Sequence, residues 1–121
     1  MNQPELFPVK VSGEASFSLC RKYRYSLLRR WAPPQEPDKP ALRYCMFIGL
    51  NPSTADERAD DPTIRRCIRF ARGWGYDGLV MANVFPLRST DPKSLALTPV
   101  PRNELRRNWQ AIAAEIRDCP L

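Results

Sequence analysis

Apolar and polar positions divide the chain into separate runs. From Phe17 to Trp31, Tyr23, Tyr25 and Leu27 alternate imperfectly with Arg24, Ser26 and Leu28. A two-residue period predicts one or two half-buried strands, compatible with a hairpin. Leu42 to Leu50 (LRYCMFIGL) is almost continuously apolar, and its length suits a strand covered on both faces, as in a parallel sheet. Gly49 near its end leaves room for a close approach by backbone or ligand. A helix is predicted from about Pro62 to Arg72, with Asp61 as its cap and Pro62 at its first position. Ile64, Cys67, Ile68 and Ala71 share its apolar face, and Arg65, Arg69 and Arg72 share another. Gly73-Trp74-Gly75 supplies the glycine that ends it. Gly78 to Val84 (GLVMANV) reads as a second buried strand. The three segments form a strand-helix-strand crossover, expected to be right-handed. After a loop from Phe85 to Pro92 and a short helical turn from Pro92 to Leu97, a last helix runs from about Pro101 to Asp118. Its apolar stripe is Leu105, Trp109, Ile112, Ala113 and Ile116.

The fold class this predicts is α/β: a small parallel or mixed sheet with flanking helices. Residues 1–15 read as a loose N-terminal arm and 16–121 as a single domain, with the proline-rich stretch Ala32 to Pro40 as an exposed connector. A crossover helix normally leads into a further parallel strand. None follows the last helix, so the sheet is expected to lack at least one strand and to be C-terminally shortened.

Composition narrows the chemistry. With 121 residues and 43% hydrophobic content, one core is expected. No run approaches the roughly 20 apolar residues of a membrane span, and the polar Met1 to Val11 does not read as a signal peptide. Cys20, Cys45, Cys67 and Cys119 form no CxxC pair, and there is no histidine, so no metal or cofactor is expected. The cysteines read as free thiols of a reduced, cytoplasmic compartment. The missing histidine excludes Ser-His-Asp and Cys-His mechanisms within the chain. The three tryptophans read as packing residues rather than stacking platforms.

The formal charge is +6, and 15 of the 19 basic residues are arginine, whose planar fork suits phosphate and carboxylate. Nucleic acid, DNA ahead of RNA, or a nucleotide is therefore the expected partner. Arg65, Arg69 and Arg72 are the candidate backbone contacts, against the plainer reading of a solvated helix face. Arg102, Arg106 and Arg107 crowd the start of the last helix, where the dipole disfavours cations, so an acid nearby is expected.

In open α/β sheets, ligands bind beyond the carboxyl ends of the strands. Two loops meet that condition. One carries Asn51, Pro52, Ser53, Thr54 and Asp56, and the other carries Asn83, Arg88, Ser89 and Thr90. If the strands are neighbours, the two asparagines end side by side. Asn51 is held in extended geometry by Pro52 and offers both a donor and an acceptor. A turn asparagine bonded to its own backbone is the competing reading. Asp56 could serve the site or simply the surface. Asp60 and Asp61 are read as structural.

Four motifs, FIGLNPSTAD (Phe47 to Asp56), DDPTIRRC (Asp60 to Cys67), FARGWGY (Phe70 to Tyr76) and NVFPLRSTDP (Asn83 to Pro92), resemble the domain of unknown function 1643 family of bacteria and phages. The match extends over roughly residues 18 to 117. More distantly, Gly49-Leu50-Asn51-Pro52 resembles the first motif of the uracil-DNA glycosylase superfamily. That resemblance implies a glycosylase-like sheet and hydrolysis of a base–sugar bond, with Asn51 positioning water and Asn83 reading the base; Asp56 is a second catalytic candidate from its place in the loop alone. Pro52, Ser53, Thr54, Arg88 and Thr90 would line the substrate. The histidine-bearing second motif of those families is missing. The alternative is therefore a non-catalytic module that binds nucleic acid or a protein partner.

Overall fold

A computed structural model of the chain describes residues 11–33, 38, 40–91, 93 and 98–118. Strands β1 (Ser12–Phe17), β2 (Arg24–Arg30), β3 (Tyr44–Gly49) and β4 (Gly78–Asn83) form one sheet in the order β1-β2-β4-β3. β3 and β4 run parallel, from Tyr44 opposite Gly78 to Gly49 opposite Asn83, and the other two pairings are antiparallel. The sheet is mixed, and helices α1 (Pro62–Gly73) and α2 (Arg102–Asp118) flank it. No helix among the described residues is long and apolar enough to cross a membrane.

β4 is the centre of the molecule, and all six of its residues are buried. Successive side chains point to opposite faces. Leu79 and Met81 join Leu27, Ile64, Cys67 and Ala71 in the core under α1. Val80 and Ala82 point the other way and are buried as well, on the face where α2 packs against β2 and β4.

Helix α1 has the ends its sequence predicts. Asp61 accepts the Ile64 N–H at 2.9 Å, and Pro62 opens the first turn. At the far end Gly75, with φ +86°, turns the chain out of the helix. The Tyr76 N–H donates to Ala71 O and that of Gly75 to Arg72 O, which is a Schellman closure.

Four expectations change. Ser12 to Ala15 belong to β1 rather than to a loose arm, because the hairpin with β2 continues back to Ser12 opposite Arg30. β3 is not covered on both faces: it is the sheet edge, with Ile48 55% exposed. Its apolar run resembles that of a buried strand because Cys45 and Phe47 pack on the core under α1. Third, the buried line of α2 is Glu104, Asn108 and Ile112, while Trp109 and Ile116 of the expected stripe lie outside. The sheet supplies polar partners there. Tyr25 donates its hydroxyl to Glu104, and the Asn108 amide donates to Asn83 O and Val84 O. Glu104 is also the acid expected near the arginines of α2, and Arg107 lies 3.6 Å from it. Fourth, of the tryptophans Trp31 packs on the core and donates to Tyr76 O, whereas Trp109 is 56% exposed. Trp74 stays largely exposed, stacked on Phe70 and Phe47. Cys20 and Cys67 are free thiols, whereas Cys119 and most of Pro92 to Leu97 fall outside the described residues.

The hairpin carries one irregularity. Ser16 pairs with Ser26 and Phe17 with Arg24, so Tyr25 is an extra residue in β2. This bulge breaks the alternation. Tyr25 faces α2, whereas Arg24 turns onto the face of Leu27 and Arg29, towards the loop after β3.

Candidate functional site

Because β3 and β4 are parallel neighbours, their carboxyl ends open side by side. The pairing continues past the strands: Val84 N–H donates to Gly49 O and Phe85 N–H to Leu50 O, both at 2.9 Å. Further out, the two loops are zipped together. Ser89 N–H donates to Pro52 O at 2.8 Å, and Asn51 Nδ2 returns a bond to Ser89 O at 2.9 Å. Pro52 and Pro86 are fully buried, which fixes both loops at their bases.

Three arginines hold the loop after β3 by its carbonyl groups. Arg88 donates to Ser53 O and Thr54 O, Arg24 to Ala55 O, and Arg29 to Asp56 O and Ala59 O. Arg29 also pairs with Asp60 at 2.8 Å. Arg24 is 2% exposed. Burial pushes its pKa down to about 10; the nearby Asp61 carboxylate opposes that shift, and the like charges of Arg88 and Arg29 add to it. Its Nη2 donates to Asn83 Oδ1 at 3.1 Å, and its Nε is buried with no hydrogen-bond partner among the described residues.

Two adjoining concavities result. The inner one, about 190 Å³, lies between the strand ends. Asn51 and Asn83 line it together with Arg24, Asp61, Gly49 and Ser53, and Ile64 and Met81 give it an apolar wall. The outer one, about 310 Å³, is a shelf open to solvent, lined by Arg21, Ser53, Thr54, Arg88, Ser89 and Thr90. Arg21 and Arg88 both stack on Phe17 there, at 4.0 and 4.8 Å. Ser53 belongs to both.

The site residues expected from the sequence therefore separate into groups. Asn51 and Asn83 share the inner cavity. Ser53, Thr54, Arg88 and Thr90 share the shelf, whereas Pro52 serves as a buried anchor. Asp56 lines neither space. Its carboxylate accepts the N–H groups of Arg58 and Ala59, and those two bonds hold its pKa below the usual carboxylate value. Its work is to turn the loop. Arg65 and Arg69 lie exposed on α1, away from the cavity lining, and Arg72 is exposed beside them.

Two cavity residues are not legible as such in the sequence. Asp61 is recognisable only as a helix cap, yet its second oxygen also accepts the buried Ala55 N–H at 3.3 Å. Arg24 reaches the site only because of the bulge. The start of α1 offers an anion little, since Pro62 has no N–H and that of Ile64 is already taken by Asp61. Among the described residues, no group of three or more Cys, Asp or Glu is placed to hold a metal.

Comparison with known proteins adds one match. Residues 24–120 match the family described as "Protein of unknown function (DUF1643)". No curated protein and no solved structure matches.

Proposed function

The chain belongs to the DUF1643 family of proteins of unknown function, and we propose that it recognises a nucleotide, free or within DNA, at the paired ends of β3 and β4. One observation carries the proposal: Asn51 and Asn83 come from separate segments yet open onto the same small cavity. The place is where open α/β sheets take their ligands. At 190 Å³ the cavity is smaller than the roughly 300–1,000 Å³ of drug-sized sites, and it suits the six-membered ring of a base. The base would enter this cavity, and the phosphate would rest on the shelf of Arg21, Arg88 and the hydroxyls of Ser53, Thr54 and Thr90. Arg65, Arg69 and Arg72 would meet the backbone of a longer DNA.

The chemistry this arrangement suits is hydrolysis of the base–sugar bond, after the base leaves the stack. Asn51 would hold a water by one of the two lone pairs of Oδ1. The water oxygen adds to the sugar carbon as its bond to the base breaks, and the water proton passes to the departing base. The likeness of Gly49-Leu50-Asn51-Pro52 to the first glycosylase motif supports this reading. A cytoplasmic DNA-directed role in bacteria or phages goes with it. A second reading, binding without turnover, is favoured by a specific observation. Both oxygens of Asp61, the carboxylate in the cavity, already accept backbone N–H groups, and Asp56 lies outside it.

The test is to incubate the protein in excess with uracil- and mismatch-containing DNA, scoring abasic sites, and to titrate nucleoside monophosphates in parallel. Abasic sites that disappear in Asn51→Ala support hydrolysis. Binding weakened at least about tenfold by Asn83→Ala, without product, supports recognition alone. If no nucleotide binds at millimolar concentration and no product forms, both readings fall.

A further inference from the structure

We infer that Arg24 is a positioning residue: it fixes which way round the Asn83 amide is presented and thereby sets the class of base the cavity accepts. This rests on the nucleotide reading above.

An asparagine amide can be turned over with little steric change, and doing so exchanges a donor for an acceptor. At Asn83 that freedom is removed. A guanidinium can only donate. Nη2 of Arg24 lies 3.1 Å from the Asn83 oxygen, and Nη1 is occupied by Ala55 O at 3.0 Å. Both side chains are buried, Arg24 to 2% and Asn83 to 4% exposure. Turning the amide over would set its NH2 against a buried cation and leave two sets of donors facing each other. With the oxygen held, Nδ2 is directed towards Gly49, where an added Cβ would come within 2.9 Å of it. Gly49 lines the same cavity.

Asn51 is fixed in the opposite sense. Its Nδ2 donates to Ser89 O at 2.9 Å and to Pro52 O at 3.1 Å, and carbonyl groups can only accept. The group it can turn to a ligand is therefore Oδ1. The cavity presents a donor from Asn83 and an acceptor from Asn51. A ring that satisfies both carries a carbonyl beside a ring N–H, which is the keto edge of uracil, thymine, hypoxanthine or guanine. Cytosine and adenine carry an amino group beside a bare ring nitrogen and would set donor against donor and acceptor against acceptor. Arg24 touches no base. It decides the polarity through Asn83.

The experiment is a calorimetric titration of two matched pairs, UMP with CMP and IMP with AMP. Each pair differs at this edge alone. The proteins are wild type, Arg24→Met, Arg24→Lys and Asn83→Asp, with folding checked by circular dichroism. The wild type is expected to prefer the keto member of each pair by at least about tenfold. Arg24→Met should bring the ratio to within about threefold, because the amide can then turn over, and Arg24→Lys, which still only donates, should restore it. Asn83→Asp keeps the bond to Arg24 but replaces the donor with an acceptor, so each member then matches one group and opposes the other, and the keto preference should fall to within about threefold. This variant decides the matter if Arg24→Met does not fold. A keto preference that survives both Arg24→Met and Asn83→Asp, or a wild type that prefers the amino member, overturns the inference while leaving the nucleotide reading standing. A wild type that binds none of the four nucleotides removes that reading itself.

Discussion

Asp61 joins the helix, the loop and the cavity, so its removal should be costly in a way the structure lets one apportion. One oxygen caps α1 by accepting the Ile64 N–H, and the other accepts the Ala55 N–H. Loss of an N-cap of this kind costs typically about 1 kcal/mol. Ala55 is fully buried, and leaving its N–H without a partner costs about 1–3 kcal/mol more. Asp61→Ala should therefore lose about 2–4 kcal/mol in urea unfolding followed by circular dichroism. At about 2.1 cal/mol/K per residue, 121 residues give an unfolding entropy near 0.25 kcal/mol/K, so the melting temperature should fall by about 8–16 °C. Asp61→Asn sharpens the argument. Asparagine caps helices as well as aspartate does, but its second atom is a donor and cannot accept from Ala55. It should keep the cap and lose the second bond, a loss of about 1–3 kcal/mol. A shift below about 2 °C in Asp61→Ala would refute the reasoning, because it would mean that neither N–H is sheltered from water.

The same geometry sets three further outcomes. Gly49→Ala places a Cβ 2.9 Å from Asn83 Nδ2, so it should weaken nucleotide binding about tenfold or more while the fold survives; unchanged affinity by calorimetry would count against that contact. Asp56 has a pKa depressed below its ordinary 3.8 in the folded chain, so it stabilises above that pH and the benefit fades as pH falls through the lower folded value. The stability gap between wild type and Asp56→Asn in urea should therefore narrow below pH 3.8, and a gap independent of pH would contradict the two backbone bonds assigned to that carboxylate. Replacing Arg65 and Arg69 together by glutamine should reduce the slope of log K against log salt for duplex DNA by about 0.9 per lost phosphate contact, and an unaltered slope would remove α1 from the interface.

What the sequence makes legible depends on how local the cause is. Helix α1 could be placed almost to the residue, because Asp61, Pro62 and Gly75 act on their immediate neighbours. The parallel pairing of the two apolar strands came from the crossover helix between them, and with it the nearness of Asn51 to Asn83. The bulge at Tyr25 was not legible, since Tyr23, Arg24, Tyr25, Ser26 and Leu27 could alternate unbroken just as well. Nor was the buried line of α2. Glu104 and Asn108 look like solvent-facing positions until Tyr25 and the carbonyls of β4 are brought opposite them. The coverage of β3 was misjudged for a similar reason. An apolar run records what one face packs against, not how many neighbours the strand has.

The arginine content was the strongest compositional signal, and the fold divides it in two. Arg24, Arg29 and Arg88 spend their donors on five carbonyl groups of one loop, with Asp60 and Asp61 close by. Their charge is largely internal, and a phosphate on the shelf would meet Arg21, itself paired with Glu57 at 2.9 Å, and what remains of Arg88. Arg65, Arg66, Arg69 and Arg72 on α1 and Arg102, Arg106, Arg107 and Arg117 on α2 stand exposed, so much of the field that an approaching polyanion meets comes from helices outside the cavity. Affinity for nucleic acid and discrimination between bases should then separate. Salt and substitutions on α1 would act on affinity, whereas Arg24 and the two asparagines would act on discrimination. The buried arginine carries the desolvation penalty that its lowered pKa records, and the structure recovers from it a loop and an amide that cannot turn.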